Sequence, residues 1–516
     1  MENKAAPIQV TISKNYDSAF CGSIPLHLVN MVQPHGVLLT LSKGEFKIVQ
    51  ASENVTQFLC KTIEEILEKP ISDFLPAAQY QDMVAKMSQL DNHDRIPFLL
   101  TFSGEKPQHY TAIIHPRDAY ILIELEPVSA EDITTSFIRL YQQTKYITTL
   151  LKQAQSTADT AQIAVDKIKE LTGFHRVLVY QFDPQWNGIV IAQAKEPDME
   201  DFMDLRFPAS DVPKQARDLY FRNPYRLIPT RNYVPVRLLP VINPITLKFT
   251  DLSDCNLRSV AVVHLEYLGN MGVDASMSLP IIIDNKLWGL ISCHHQAEKN
   301  PGYEMRASLE LLSDIVASQL AAKEREKSII RLADLSKVHA ALLKNLYNTP
   351  SFIDGLVTGE QTILDLLNIS GVAVFFDGTV RTAGITPDTQ ELKELVAWLR
   401  RNNINKVYHT DQLEVAFARK AAFTATASGL IVIPIQTERE EFILGFRPEV
   451  QQTIKWGGNP DNAIQLEPDG KTYHPRNSFA TYMQTIKQTS SPWLPEEIVA
   501  AENLRNAVLE KMIKER

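Results

Sequence analysis

Between residues 303 and 347 the chain runs without a glycine or a proline. Those are the two residues least tolerated inside a helix. Apolar side chains recur at Met305, Leu309, Leu312, Ile315, Val316 and Leu320, then resume at Ile330, Leu335, Val338, Leu342 and Leu346. That is the spacing of one helical face. A periodic run of this length predicts a continuous helix that joins two folded modules and packs against a second copy of the chain. Burial on the chain's own modules accounts for the same stripe, so both readings stand at this point. A second helix is predicted over 495–516, with Pro495 near its start and Lys514 and Arg516 at its end.

The 516 residues suit about three domains at roughly 150 residues each. At 44% hydrophobic and 22% charged, each has the means to bury its own core. The first module has predicted strands at 36–41 and 46–51 across a Ser-Lys-Gly turn, and short helices at 62–67 and 77–90. Three strand-like runs follow at 97–102, 110–115 and 119–126, the last alternating as a half-buried strand does. A helix over 136–155 leads to a second module. This has a helix at 159–172, strands at 176–182 and 188–194, and runs 278–283 and 287–294 flanking the hairpin signal Asp284-Asn285-Lys286. The third module repeats that plan with strands at 371–377, 429–435 and 441–447. Two related modules, each a central antiparallel sheet with flanking helices, are therefore expected in tandem.

A net charge of −9 argues against nucleic acid, whose phosphates call for a basic face. No apolar run approaches the roughly 20 residues that span a bilayer. The runs 429–435 and 259–264 read as buried strands, and the N-terminus lacks an apolar signal core. A cytoplasmic protein with no membrane partner is expected. Cys21, Cys60, Cys255 and Cys293 form no CxxC pair, so no metal knuckle is expected. No HExxH, nucleophile elbow, GxGxxG or Walker loop is present, so no catalytic domain is expected in this chain.

The chemistry concentrates in the second module. Phe207-Pro208-Ala209-Ser210-Asp211-Val212-Pro213 brackets an acid with prolines, giving a stiff loop poor in N–H donors. Ser210 or Asp211 as the cap of a following helix over 214–221 is the plainer reading. His264 and Tyr267 stand ahead of Asn270-Met271-Gly272-Val273. Ser276 and Ser278 alternate on one strand face, and Cys293-His294-His295 ends the hairpin. Arg226 and Arg258 can each pair with a carboxylate. Two histidines, two arginines and two serines in one module suit a pocket for an aromatic polyacid.

These motifs resemble the GAF domain of bacterial phytochromes. Gln33-Pro34-His35-Gly36 is similar to that family's PAS domain, as is the first module's order of strands, short helices and meander. Trp456-Gly457-Gly458 and Pro475-Arg476-Asn477-Ser478-Phe479 resemble the tongue of its PHY domain. The resemblance implies a multidomain α+β and α/β chain. Its parts are an N-terminal extension (1–20), a PAS domain (21–128), a GAF domain (136–322) and a PHY domain (323–516) with tongue 449–482 and a C-terminal output helix. It implies a red/far-red photoreceptor that binds biliverdin IXα covalently, converts between two light states and controls an output module. That module is expected to be a histidine kinase in a longer protein, or a response regulator as a separate partner. A tandem GAF module regulated by a cyclic nucleotide is the alternative.

Cys21 precedes Gln33 by twelve positions, where the family places the thiol bonded to the A-ring of biliverdin. Val263 stands where relatives using other bilins carry their cysteine. The resemblance gives the backbone carbonyl of Asp211 to the pyrrole N–H groups, His264 to the pyrrole water and His294 to the D-ring carbonyl. It gives Arg226, Arg258, Ser276 and Ser278 to the propionates, where Ala261 departs from a commonly polar position. Tyr180, Phe207, Tyr220 and Tyr267 wall the D-ring. The resemblance also makes Arg476 the partner of Asp211 in the red-absorbing state, with Ser478 approaching Asp211 after illumination and Trp456 taking part in signalling. The glycines and prolines of the tongue suit an extended hairpin, whereas the stretch 478–487 has neither and suits a helix equally.

Overall fold

The computed structural model describes residues 25–88, 95–103, 108–128, 137–417, 426–462, 464–466 and 473–515. The chain divides into two compact units, Met1–Ala321 with Lys455–Tyr482, and Ala322–Ile454 with Met483–Arg516.

In the first unit, the first module holds β1 (Met31–Val32), β2 (Val37–Ser42), β3 (Ile48–Ser52), β4 (Ile96–Phe102), β5 (Gln108–Pro116) and β6 (Tyr120–Pro127), with helix α1 at Ala77–Met87. Side chains alternate across a strand. Val37, Leu39 and Leu41 of β2 and Ile121, Ile123 and Leu125 of β6 fill the module's own core. The opposite face carries Leu38, Tyr120 and Leu122. The expected half-buried β6 is instead buried along nearly its whole length. Its even face does carry carboxylates, but they meet protein rather than water. Glu124 bonds His115 at 2.8 Å and accepts from the backbone N–H of Leu257 at 2.5 Å, and Glu126 pairs with Arg306.

Leu257 and Arg306 lie in the second module, and the two modules share an apolar cluster besides their own cores. The second module's strand Val236–Leu239 inserts between β1 and β3, giving the sheet seven strands. Leu238, Leu252, Cys255 and Leu257 complete a cluster with Val32, Leu38 and Leu122. Each module buries its own core, as expected, and this further cluster joins the two. Leu38 and Leu122 are on the outer face of their sheet, and only long-range packing covers them.

The second module opens with α2 (Phe137–Gln153) and α3 (Thr157–Thr172). The Ser156 hydroxyl accepts from the N–H of Asp159 at 3.0 Å to start α3, and Gly173, at φ 65°, ends it. Its strands are β7 (Arg176–Phe182), β8 (Gly188–Lys195), β9 (Arg206–Phe207), β10 (Arg226–Ile228), β11 (the inserted Val236–Leu239), β12 (Ala275–Ile283) and β13 (Lys286–His295), with sheet order β10-β12-β13-β7-β8-β9. Asp284 and Asn285 both take positive φ, the primed turn that a two-residue hairpin requires. Helix α4 is Lys214–Leu219 and α5 is Val262–Asn270. The strand expected at 259–264 is thus corrected to a loop entering α5. The valines there favour a strand, but helical spacing sends Leu268 into a core with Ile228 and Val273, and propensity yields to packing.

Helix α6 (Tyr303–Asn348) is the predicted long helix. Leu309, Leu312, Val316 and Leu320 belong to the second module's core and Leu342 and Leu346 to the third's. Most of the apolar stripe is therefore used within the chain. Ile329, Ile330 and Leu332 remain exposed between those segments. No helix among the described residues is long and apolar enough to cross a membrane.

The second unit is built on β14 (Gly371–Phe376), β15 (Thr379–Gly384), β16 (Tyr408–Thr410), β17 (Gly429–Gln436) and β18 (Glu441–Arg447), in the order β15-β14-β18-β17-β16. This is the order β8-β7-β13-β12-β10 of the second module, so the predicted repeat is present strand for strand. Helix α7 (Thr389–Arg401) covers one face through Leu392, Leu395 and Leu399 against Leu430 and Val432. Helix α8 (Pro495–Glu515) covers the other through Leu504 and Val508 against Ile431 and Ile433.

The tongue is extended. It leaves along β19 (Gln452–Gly457), forms the ribbon of β20 (Ile464–Leu466) and β21 (Tyr473–Pro475), and returns along β22 (Thr481–Ile486). Within the stretch 478–487 that suited strand and helix equally, Thr481–Ile486 is a strand.

Candidate functional site

One pocket of the first unit is lined by Asp211, Tyr220, Arg226, Arg258, His264 and Tyr267, whereas Tyr180, Phe207, Ser276, Ser278 and His294 are not among its lining residues. Its walls come from the 210–213 turn, α4, β10, residues 258–261, α5, and Leu26, Val29 and Pro475. Pro208 and Pro213 hold the turn near φ −68° and −65°, and a single 3₁₀ turn carries Ala209–Asp211 between them. The capping role weighed for Ser210 and Asp211 is not seen, because Pro213 is the N-cap of α4 and no side chain caps it. The Asp211 carboxylate turns inward instead. It accepts from the Tyr267 hydroxyl at 2.8 Å and from both terminal nitrogens of Arg476, at 3.2 and 2.5 Å. Burial pushes the Asp211 carboxyl upward, while Arg476 and Tyr267 pull it back.

Helix α5 serves the site through its period. His264 and Tyr267, three apart, lie on one face with their rings stacked at 5.8 Å and 12°. Glu266 and Asn270, four apart, grip the tongue. Glu266 meets His474 at 2.9 Å and Asn270 donates to the carbonyl of Arg476 at 3.1 Å. Sequence reading gave neither of them a contact with the tongue, although their spacing on one helix was available. Burial, helped by Arg226, holds the His264 imidazole down at about 4, so it is neutral at ordinary pH.

Register across the sheet sets the polar side of the pocket. Ser278 faces Arg226 and Ser276 faces His294 across paired strands. The Ser278 hydroxyl bonds that of Tyr220 at 2.7 Å. Arg226 donates to the carbonyls of Asn256 (2.7 Å) and Arg258 (2.5 Å), and Arg258 to that of Leu26 (3.2 Å). No protein carboxylate takes up these arginines. Among the described residues both guanidiniums bond backbone oxygens and neither bonds a carboxylate. Arg258 also keeps a buried Nε without a partner, and burial beside Arg226 pulls it down to about 9.

The aromatic wall forms one cluster. Tyr180 and Phe207 lie 6.0 Å apart, Phe207 and Phe202 5.4 Å, and Tyr267 and Phe479 5.0 Å. Tyr220 packs against it. Phe202 and Phe479 complete a wall that sequence reading drew without them. Gly188 lies beneath Tyr180, where any Cβ would fall 1.7 Å from its ring. Gly457 meets Phe207 at 2.6 Å in the same way, so the tongue glycine permits contact with the wall. Trp456 is buried and pairs in parallel with Arg206. Ser478 is exposed and accepts from the N–H of Ala480, away from Asp211. Val263 and Ala261 line the pocket. Cys21 lies outside the described residues.

Comparison with known proteins agrees with this organisation. Family models match as a PAS fold over residues 21–128, a GAF domain over 156–323 and a phytochrome region over 335–516. The chain is 36% identical over 503 residues to cyanobacterial phytochrome B of Nostoc sp., covering 97% of this chain and 67% of that protein. A crystal structure of a bacteriophytochrome from the photosynthetic bacterium R. palustris superposes with a TM-score of 0.86 at 33% identity, over 96% of this chain and 99% of that one. The phytochrome photosensory core module of Stigmatella aurantiaca gives 0.85 at 33% identity with the same coverage. The chain spans about two thirds of the length of the curated relatives it matches.

Proposed function

The chain belongs to the phytochrome family of red and far-red light photoreceptors, and we propose that its pocket takes biliverdin IXα, bonded through a thioether to Cys21. The observation that carries this reading is the pair Arg226 and Arg258, a half-buried and a buried guanidinium whose partners among the described residues are backbone carbonyls. An uncompensated buried charge costs several kcal/mol, and a ligand with two carboxylates offsets it. The bilin supplies visible absorption and a light-driven isomerisation when bound.

The remaining residues suit the rest of such a ligand. Tyr180, Phe207, Tyr220 and Tyr267 offer flat apolar contact. Ser276 and Ser278 add hydroxyl donors beside the arginines, Asp211 offers its backbone carbonyl to the pyrrole N–H groups, and His264 offers a neutral imidazole to a pyrrole water. Val263 removes the thiol that other bilins use, and burial holds the Cys293 thiol up at about 12, poorly suited to attack. The cyclic-nucleotide reading finds no support among the relatives.

Signalling is proposed to run through the tongue, read as 449–482, where Arg476 holds Asp211 in the red-absorbing state and Ser478 approaches Asp211 after illumination. The reading takes PAS, GAF and PHY domains over 21–128, 136–322 and 323–516. A kinase or response-regulator output and a homodimer along α6 belong to the same proposal. The exposed Ile329, Ile330 and Leu332 of α6 are available to serve the dimer, and light scattering at micromolar concentration tests it. For the chromophore, the purified chain is mixed with biliverdin, denatured and run on a gel. A coloured band that persists in the wild type and vanishes in Cys21→Ala is expected. A band surviving that substitution places the attachment elsewhere.

A further inference from the structure

We propose that Arg176 is a positioning residue that locks His294 in a single tautomer, with its proton on Nε2, so that this histidine serves the pocket only as a hydrogen-bond donor. The proposal deepens the bilin reading and rests on it for what the donor serves, but the tautomer itself rests on protein geometry.

Arg176 begins β7 and His294 lies opposite it near the end of β13. Both side chains are buried. The guanidinium approaches Nδ1 of His294 with two nitrogens, Nε at 3.3 Å and a terminal nitrogen at 3.0 Å. Arginine has only donors and does not deprotonate in proteins. Nδ1 must therefore present its lone pair, and a neutral imidazole then carries its hydrogen on Nε2. That second nitrogen makes no bond to protein among the described residues.

Arg176 cannot swing away. Its other terminal nitrogen donates to the carbonyl of Glu200 at 3.0 Å, and its plane lies 3.9 Å from the centre of the Phe202 ring. The charged and titratable groups acting on His294 are Arg176 from β7 and His264 from α5, with no carboxylate to favour an imidazolium. Burial, then Arg176, then His264 hold its pKa well below the ordinary range. The two histidines thus differ in kind. Among the described residues no arginine bonds the ring of His264, which keeps an acceptor nitrogen to offer. His294 has its acceptor nitrogen already occupied and offers a proton it does not readily exchange. A carbonyl is the ligand group this arrangement recognises, and a protonated ring nitrogen is the group it rejects.

The test is ¹⁵N NMR of the full chain labelled at histidine, as apoprotein and as biliverdin adduct, with His294→Gln assigning the signal. The wild type is expected to show Nε2–H and unprotonated Nδ1 for His294 in both forms across the neutral range. In Arg176→Met the signal is expected to become a tautomer mixture, with the apparent pKa rising by about 1–3 units as a nearby positive charge is lost. Arg176→Lys, which keeps a donor, is expected to restore Nε2–H. A wild-type His294 protonated on Nδ1 overturns the proposal with no variant needed. So does a wild-type ¹⁵N pattern in an Arg176→Met protein that melts cooperatively. Failure of the wild type to form a coloured adduct overturns the bilin reading alone, since the apoprotein still reports the tautomer.

Discussion

Arg476 and Asp211, 265 positions apart in sequence, meet as a two-pronged ion pair in which both side chains are almost wholly buried. The pair joins the tongue to the stiff turn at the pocket. Each partner is fixed a second time. Tyr267 donates to Asp211, and Arg476 lies 4.7 Å from the Phe479 ring centre while its backbone accepts from Asn270.

Removing one member leaves the other charged and buried, so Arg476→Ala is expected to destabilise the tongue by about 3–5 kcal/mol. Hydrogen exchange over 455–462 and 473–482 should accelerate accordingly. Asp211→Asn with Arg476→Gln should be milder than Arg476→Ala, since both charges leave together. Exchange of the same segments before and after red illumination checks the proposed switch, and identical protection in both light conditions counts against it.

His264 gives a pH signature in the apoprotein. Its folded pKa of about 4 lies below the unfolded value of 6.5. The unfolded state therefore binds the proton first. Stability is fully present above pH 6.5 and is lost as pH falls towards 4, by about 3 kcal/mol for this group. His264→Gln should flatten the dependence of melting temperature on pH within that window, relative to wild type. An unchanged slope means that His264 titrates normally and is not buried as described.

Arg258 carries a prediction about ligand charge. Arg258→Met should weaken biliverdin binding by about 10–100-fold, the range for a lost hydrogen bond to a charged group. Biliverdin dimethyl ester has no propionate charge and should bind wild type and variant alike. Equal losses for both ligands would mean that the residue only shapes the pocket.

Local signals carried much of this structure into the sequence. The long helix follows from an absence of breakers, the β12–β13 hairpin from Asp284-Asn285, and the repeated sheet from two similar strand successions. The turn at Asp211 was visible because its prolines are adjacent in sequence. What escaped depends on distant neighbours. Nothing in Val236–Leu239 announces that it joins another module's sheet. The alternation of β6 was read correctly, but not that its carboxylates face Leu257 and Arg306. Arg176 looked like the first residue of a strand, because its role comes from His294, which a hairpin brings beside it.

Glu126 and Arg306 supply the last prediction. Arg306 lies in the first turn of α6, is almost fully buried, and donates to both oxygens of Glu126 at 2.9 and 2.6 Å. Its guanidinium also lies 5.5 Å from the ring of Tyr225, the residue before Arg226 in the pocket strand. One turn further along α6, Glu310 bonds Arg95 at 2.5 Å. The first module's sheet thus holds the start of the long helix beside the pocket through charge. Burial alone would raise the Glu126 carboxyl, but Arg306 and His35 outweigh it and hold it low. Its contribution is present above the unfolded pKa near 4.5 and is lost as pH falls below it. Arg306→Met leaves Glu126 buried without a counter-charge and should cost about 3–5 kcal/mol, whereas Glu126→Gln with Arg306→Met should recover part of that loss. Denaturant melts of wild type, both single variants and the double variant at neutral pH measure the coupling. Strict additivity would mean that the two charges do not act together and that α6 is held by apolar packing alone.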